Sequence, residues 1–202
     1  MKKIITAIVL ACVSLAASAE FRWGPTVGIN GSTLGWKQDL VTTKHLIGYS
    51  AGVTGELMIP GIGFGIGVGL NYQMNGAKVN FGEREVWRAD GFGESDLMIH
   101  TIQVPLNLRF KWTRMEGFEH YLAPFVFGGP VFTFNTGASN GRMCEYPAGT
   151  VDMQVGAGGE VLEHIQIFAG YYWGVSYQAR TYKLDNFSAK PQGWFIGASY
   201  LF

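Results

Sequence analysis

The sequence predicts an all-β transmembrane protein: an antiparallel up-and-down barrel of eight strands, with short periplasmic turns and long extracellular loops. Three observations carry this reading. One stretch alternates glycine with apolar residues at a strict period of two, about eight comparable stretches recur with connections that are long and short by turns, and the N-terminus carries a secretory signature.

The alternating stretch runs from Gly61 to Met74. Ile62, Phe64, Ile66, Val68, Leu70, Tyr72 and Met74 share one face, opposite Gly61, Gly63, Gly65, Gly67, Gly69, Asn71 and Gln73. A soluble sheet gains nothing from so bare a face, because interior glycines weaken a strand. A membrane barrel uses both faces, setting the apolar one against lipid and lining a narrow bore with the small one.

Residues 1–19 read as a cleaved signal peptide: Lys2 and Lys3, an apolar run, then Ala17-Ser18-Ala19 before Glu20. The barrel domain is then residues 20–202. The 15 basic residues of the whole sequence fall to 13 without Lys2 and Lys3, against 15 acidic ones, a balance that points to no nucleic-acid partner. Cys12 leaves with the signal, so Cys144 has no partner for a disulfide. No later apolar run is long enough for a spanning helix.

The first strand is expected from Trp23 to Thr33, the second from Ile47 to Leu57 and the third over Gly61 to Met74. The fourth covers Leu97 to Trp112 and the fifth Glu119 to Phe134, where adjacent apolar residues at Phe125 to Phe127 and Pro130 to Phe132 suggest a bulge. The sixth covers Thr150 to Leu162, the seventh Ile165 to Tyr177 and the eighth Pro191 to Phe202. The stretches Leu34 to Leu46, Asn75 to Asp96, Asn135 to Gly149 and Gln178 to Lys190 are the long loops, which puts both chain ends in the periplasm. A lipocalin-like barrel would need the opposite arrangement of faces.

Trp194, Ile196, Ala198, Tyr200 and Phe202 match the alternating aromatic-terminated pattern read by the outer-membrane assembly machinery. With the runs Val104 to Phe110 and Ala123 to Pro130, the chain resembles the small outer-membrane β-barrel domain proteins of Bacteroides-type bacteria, the PorT-like group. It is also similar in architecture to OmpX and the OmpA membrane domain. The resemblance implies a fold and an outer-membrane location, with outer-membrane lipid, lipopolysaccharide and the assembly machinery as partners. It brings no catalytic motif and no cofactor.

Four groups of residues are candidates for function. Glu56, Arg109, Lys111 and Glu160 point into the bore near its periplasmic end, with Arg109 placed to bridge the two acids as a plug. The glycines Gly63, Gly65, Gly67 and Gly69 leave room for Phe168 and Tyr172 on the facing strand, or for a ligand. Tyr49, Tyr72, Tyr171, Trp173 and Trp194, and at the other end Trp23, Trp112, Tyr121, Tyr200 and Phe202, form two interfacial girdles. Trp36, Phe81, Trp87 and Phe92 are exposed loop aromatics suited to a protein or glycan partner.

His100 has no serine nucleophile near it, and the four histidines lack metal-ligand spacing. The expected function is therefore non-enzymatic, a structural, adhesion or envelope-complex role through the outer loops. A narrow porin-like channel is the alternative, with a lipid-modifying enzyme behind it.

Overall fold

The computed structural model describes residues 20–36, 42–59, 61–80, 94–113, 117, 120–139, 144–181 and 188–202. Among them ten strands form one antiparallel sheet: β1 Glu20–Trp36, β2 Thr42–Met58, β3 Phe64–Asn80, β4 Glu94–Lys111, β5 Leu122–Ser139, β6 Cys144–Glu145, β7 Gly149–Val161, β8 Ile165–Gly174, β9 Ala179–Thr181 and β10 Ser188–Tyr200. β1 pairs with β10 from Thr26↔Ser199 to Trp36↔Ala189, so the sheet closes on itself.

The wall has eight staves, because β6 and β9 prolong β7 and β8. The pairs Asp152↔Gly174 and Glu145↔Arg180 belong to one hairpin displaced by a single residue. Where that hairpin is interrupted, Val175 N and Ser176 N donate to Val151 O, and Gln178 N donates to Ala189 O, each at 3.0 Å. Closure leaves no open edge, as lipid requires.

Over much of each strand the outward face is apolar and uncovered. Val27, Ile29, Val53, Phe64, Ile66, Val68, Leu70, Leu106, Leu108, Val155, Ile167 and Ile196 are all exposed. The residues between them point into the bore and are polar or small, among them Thr26, Asn30, Gln73, Gln103, Gln166 and Ser199.

The strands are longer than the alternation suggested, with 17 residues in β1, β2 and β3 and 18 in β4 and β5. About 10 residues cross a bilayer at the usual tilt. The surplus lies mostly at the long-loop end, and there the polarity of the faces reverses. In β3, Ala77 and Val79 are buried while Lys78 and Asn80 are exposed. Leu34, Leu97, Ile99, Ala179 and Ala189 join Ala77 and Val79 in an apolar cluster inside the wall, with Tyr146 packed against it.

This reversal corrects the expected loops. Residues 34–36, 42–46, 75–80, 94–96, 135–139, 144–145, 149, 179–181 and 188–190 are strand, and only 37–41, 81–93, 140–143 and 182–187 of those connections lie outside the described residues. Gly61 to Gly63 is turn rather than strand, with Gly61 and Gly63 at φ of 76° and 82°. Those are left-handed values that glycine takes without strain.

The bulge expected within Phe125 to Phe132 is also absent, since β5 pairs β7 without interruption from Leu122↔Val161 to Phe134↔Gly149. Phe125, Phe127 and Val131 all point inward, so both faces of β5 are apolar and its period of two is hidden in the sequence. The irregularity lies further along, where the β4–β5 register shifts between His100 and Thr101.

Candidate functional site

The bore is filled in three layers. At the short-turn end Glu56, buried on β2, accepts hydrogen bonds from Arg22 Nη2 at 2.5 Å, Arg109 Nη1 at 2.6 Å, Lys111 Nζ at 2.8 Å and Gln166 Nε2 at 2.9 Å. Glu160 on β7 accepts from Lys111 Nζ at 2.7 Å, Gln166 Nε2 at 2.6 Å and Arg22 Nη2 at 2.9 Å. Five strands thus send side chains to one network. Every carboxylate oxygen in it is used, the condition under which buried charge is tolerated.

The structure brings Glu56, Arg109, Lys111 and Glu160 together, but not through the bridge expected. Arg109 reaches Glu56 and, through Nη2, Gln166 Oε1 at 3.0 Å, while its guanidinium carbon lies 4.6 Å from the Phe125 ring centre. Lys111 and Arg22 make the links between the two acids. Arg22 escaped notice because the first strand was begun at Trp23, three residues after its start at Glu20. Carried back from Gly24, the period of two puts it in the bore.

The middle layer is a cavity of ≈ 90 Å³ lined by Ser50, Asn71, Gln103, Asp152 and Gln154 among others, with Arg109 at its floor. Gln154 Nε2 donates to Asn107 Oδ1 at 2.9 Å, and Thr133 Oγ1 donates to Asp152 Oδ2 at 2.7 Å. The apolar cluster of Leu34, Ala77, Val79, Leu97 and Ile99 forms the third layer.

The inward glycines do make room for aromatic rings, but not in the expected pairing. A Cβ on Gly197 would lie 2.7 Å from Phe168 Cζ, and one on Gly193 would lie 2.9 Å from the Tyr172 hydroxyl. The glycines that seat these rings are therefore on β10, beside β8, because a ring lies over the neighbouring stave rather than spanning the bore. On β3, Gly67 leaves room for Arg109, whose Cδ would be 2.9 Å from a Cβ there. A Cβ on Gly65 would meet the Met58 sulfur and the Leu57 carbonyl, one on Gly69 would lie 3.1 Å from Val53 O and 3.2 Å from Pro105 Cγ, and Gly63 faces the Lys111 carbonyl.

Outside the wall the aromatic residues of both girdles are exposed. Trp194, Ile196, Tyr200 and Phe202 point outward, Ala198 is half-buried, and Phe202 N donates to Trp23 O at 2.9 Å. His100 Nδ1 lies 2.7 Å from the Tyr72 hydroxyl. At the short-turn end the His120 imidazole hydrogen-bonds Glu163, and that bond holds the carboxyl below its ordinary range. Phe81, Trp87 and Phe92 and the Trp36 and Cys144 side chains lie outside the described residues, as do residues 1–19.

The family model described as outer membrane protein beta-barrel domain matches residues 15–178. No curated protein matches the sequence. Among solved structures, the outer membrane protein OprG from Pseudomonas aeruginosa is similar at 14% identity and a TM-score of 0.49, over 90% of this chain and 94% of that one. Neisserial surface protein A is similar at 12% and 0.48, over 91% and 99%. Ail, the attachment invasion locus protein of Yersinia pestis, solved in complex with the heparin analogue sucrose octasulfate, is similar at 15% and 0.42, over 91% and 99%.

Proposed function

From the premise that the chain belongs to the outer membrane protein beta-barrel domain family and is integral to the outer membrane, we propose that it is a sealed, non-enzymatic anchor. Its long-loop end presents an interaction surface to the outside, either to an adhesion partner or to a larger envelope complex. The termini and short turns then lie in the periplasm, residues 1–19 are a cleaved signal, and within the family the chain resembles the PorT-like group. Lipopolysaccharide surrounds the wall, and the assembly machinery reads Trp194 to Phe202.

One observation carries this reading: the bore is crossed by the Glu56, Glu160, Arg22, Arg109, Lys111 and Gln166 network, each member already hydrogen-bonded to another. An ion passing through would have to break several charge-assisted bonds at once, at a cost of several kcal/mol. The apolar cluster at the other end offers an ion no replacement for its water. The pairing of His100 with Tyr72, rather than with a serine and an acid, supports the non-enzymatic part.

Planar-bilayer recording tests the seal: the anchor gives no unitary steps, whereas a porin-like channel gives them in every insertion. Lipid A mass spectrometry with and without the protein tests the enzyme alternative, for which the anchor gives identical spectra. Co-purification from native outer membranes identifies the partner.

A further inference from the structure

Three lysines stand exposed on the outward face of neighbouring staves at the long-loop end: Lys190 on β10, Lys44 on β2 and Lys78 on β3. β1 runs between the first two and presents Gly35 there, paired with Lys190 and itself exposed. A Cβ on Gly35 would meet nothing closer than 3.7 Å, so the floor between the lysines is bare backbone. β10 and β2 are two strand spacings apart, about 10 Å. Lys190 Nζ rests 5.4 Å from the Tyr177 ring centre.

The placing of Lys44 depends on a bulge. β2 pairs β3 at His45↔Ala77 and again at Ser50↔Gln73, a step of five residues against four. Without the extra residue, the register from Ser50 would carry Lys44 to Val79, whose side chain is buried in the apolar cluster. With it, Lys44 stands opposite Lys78 outside the wall, while Thr43 takes the place beside Val79 and donates to Leu34 O at 3.1 Å. The Cβ atoms of directly opposed residues are about 5 Å apart, and like charges so placed destabilise a sheet. Asp96, opposite Lys78 on β4, answers at most one of the three charges.

These lysines lie beyond the aromatic girdle. Trp194, Tyr49 and Tyr72 mark the lipid boundary on the outward faces of the same three strands, and cations beyond such a belt meet lipid headgroups. Charge, depth and the bare floor together specify the occupant as an anionic headgroup, for which a phosphate between ammonium groups also relieves the Lys44–Lys78 repulsion. We propose that Lys44, Lys78 and Lys190 seat the phosphorylated headgroup of one lipopolysaccharide molecule over Gly35. The proposal rests on the reading that the long-loop end faces outside.

The test is titration of the refolded protein in detergent micelles with purified lipopolysaccharide, read by native mass spectrometry. Expected is a saturable one-to-one complex. The protein carrying Lys44→Gln, Lys78→Gln and Lys190→Gln together binds roughly tenfold more weakly or worse. Gly35→Leu keeps every charge but fills the floor, and weakens binding severalfold, which a diffuse positive field would not explain. Unchanged binding by either variant, equal binding of lipopolysaccharide stripped of its phosphates, or equal binding of phosphatidylglycerol overturns the proposal. Orientation is read separately, by labelling Ser139→Cys in a Cys144→Ser background on intact cells with a membrane-impermeant maleimide. Absence of label overturns the outward reading and the proposal with it, whereas label together with unchanged binding by the variants overturns the proposal alone.

Discussion

The same strands build two zones that are inside out relative to each other. Along β3 the outward residues are Phe64, Ile66, Val68 and Leu70 in one zone and Lys78 in the other, while the inward ones pass from glycine and glutamine to Ala77 and Val79. The period of two never changes; only the solvent does. Where lipid surrounds the wall, burying apolar groups inside gains nothing, and the interior is held by paired charges. Where water surrounds it, the interior becomes an ordinary hydrophobic core, worth about 25 cal/mol per Å² buried. Secondary structure is thus indifferent to the boundary that reverses its faces.

Four experiments break or sharpen this contrast. The largest effect belongs to the charged layer. Glu56→Ala leaves Arg22, Arg109 and Lys111 sharing one remaining acid, and is expected to cost about 3–5 kcal/mol in urea unfolding from lipid vesicles. Next is a pair of substitutions on one face of β3. Ile66→Lys, against lipid, costs about 2–4 kcal/mol, whereas Lys78→Gln, twelve residues along the same face, stays within about 0.5 kcal/mol. Equal costs would mean that the two positions share one solvent.

Third, Leu97→Ala empties part of the apolar cluster and costs about 2–3 kcal/mol there. Hydrogen exchange is expected to quicken at the long-loop ends of β3 and β4 and to stay unchanged around Val68 and Leu106. The smallest effect lies at the short turns. Because His120 holds the folded Glu163 carboxyl below its ordinary range, its small contribution is present above the unfolded carboxylate range and is lost as pH falls through the folded value. Midpoints of wild type and Glu163→Gln should therefore differ slightly at pH 7 and converge in acid.

The lipid-facing zone was legible because it obeys the rule used to read it, large apolar residues at alternate positions. The water-facing zone was not. From Asn75 to Asn80 the alternation continues with its polarity exchanged, and a reader following the apolar face finds it gone and writes a loop. β5 was opaque for the opposite reason, with Phe125 and Phe127 inside and Val126 and Phe132 outside. Glu56, Arg109, Lys111 and Glu160 were readable as inward charges from their parity alone. Which cation meets which acid was not, because that depends on stagger between strands and on Gln166, a neutral residue that looks like lining until its two hydrogen bonds to the acids are seen.

The seam between β1 and β10 has a consequence for biogenesis. β1 finds one of its two neighbours only in β10, through pairs such as Val27↔Ala198 and Ile29↔Ile196. No growing or half-translocated polypeptide can make that join, so the chain has to be kept soluble and unassembled while it crosses the periplasm. Shortening the last segment would leave the ring unable to lock, turning a stable product into a substrate for envelope proteases.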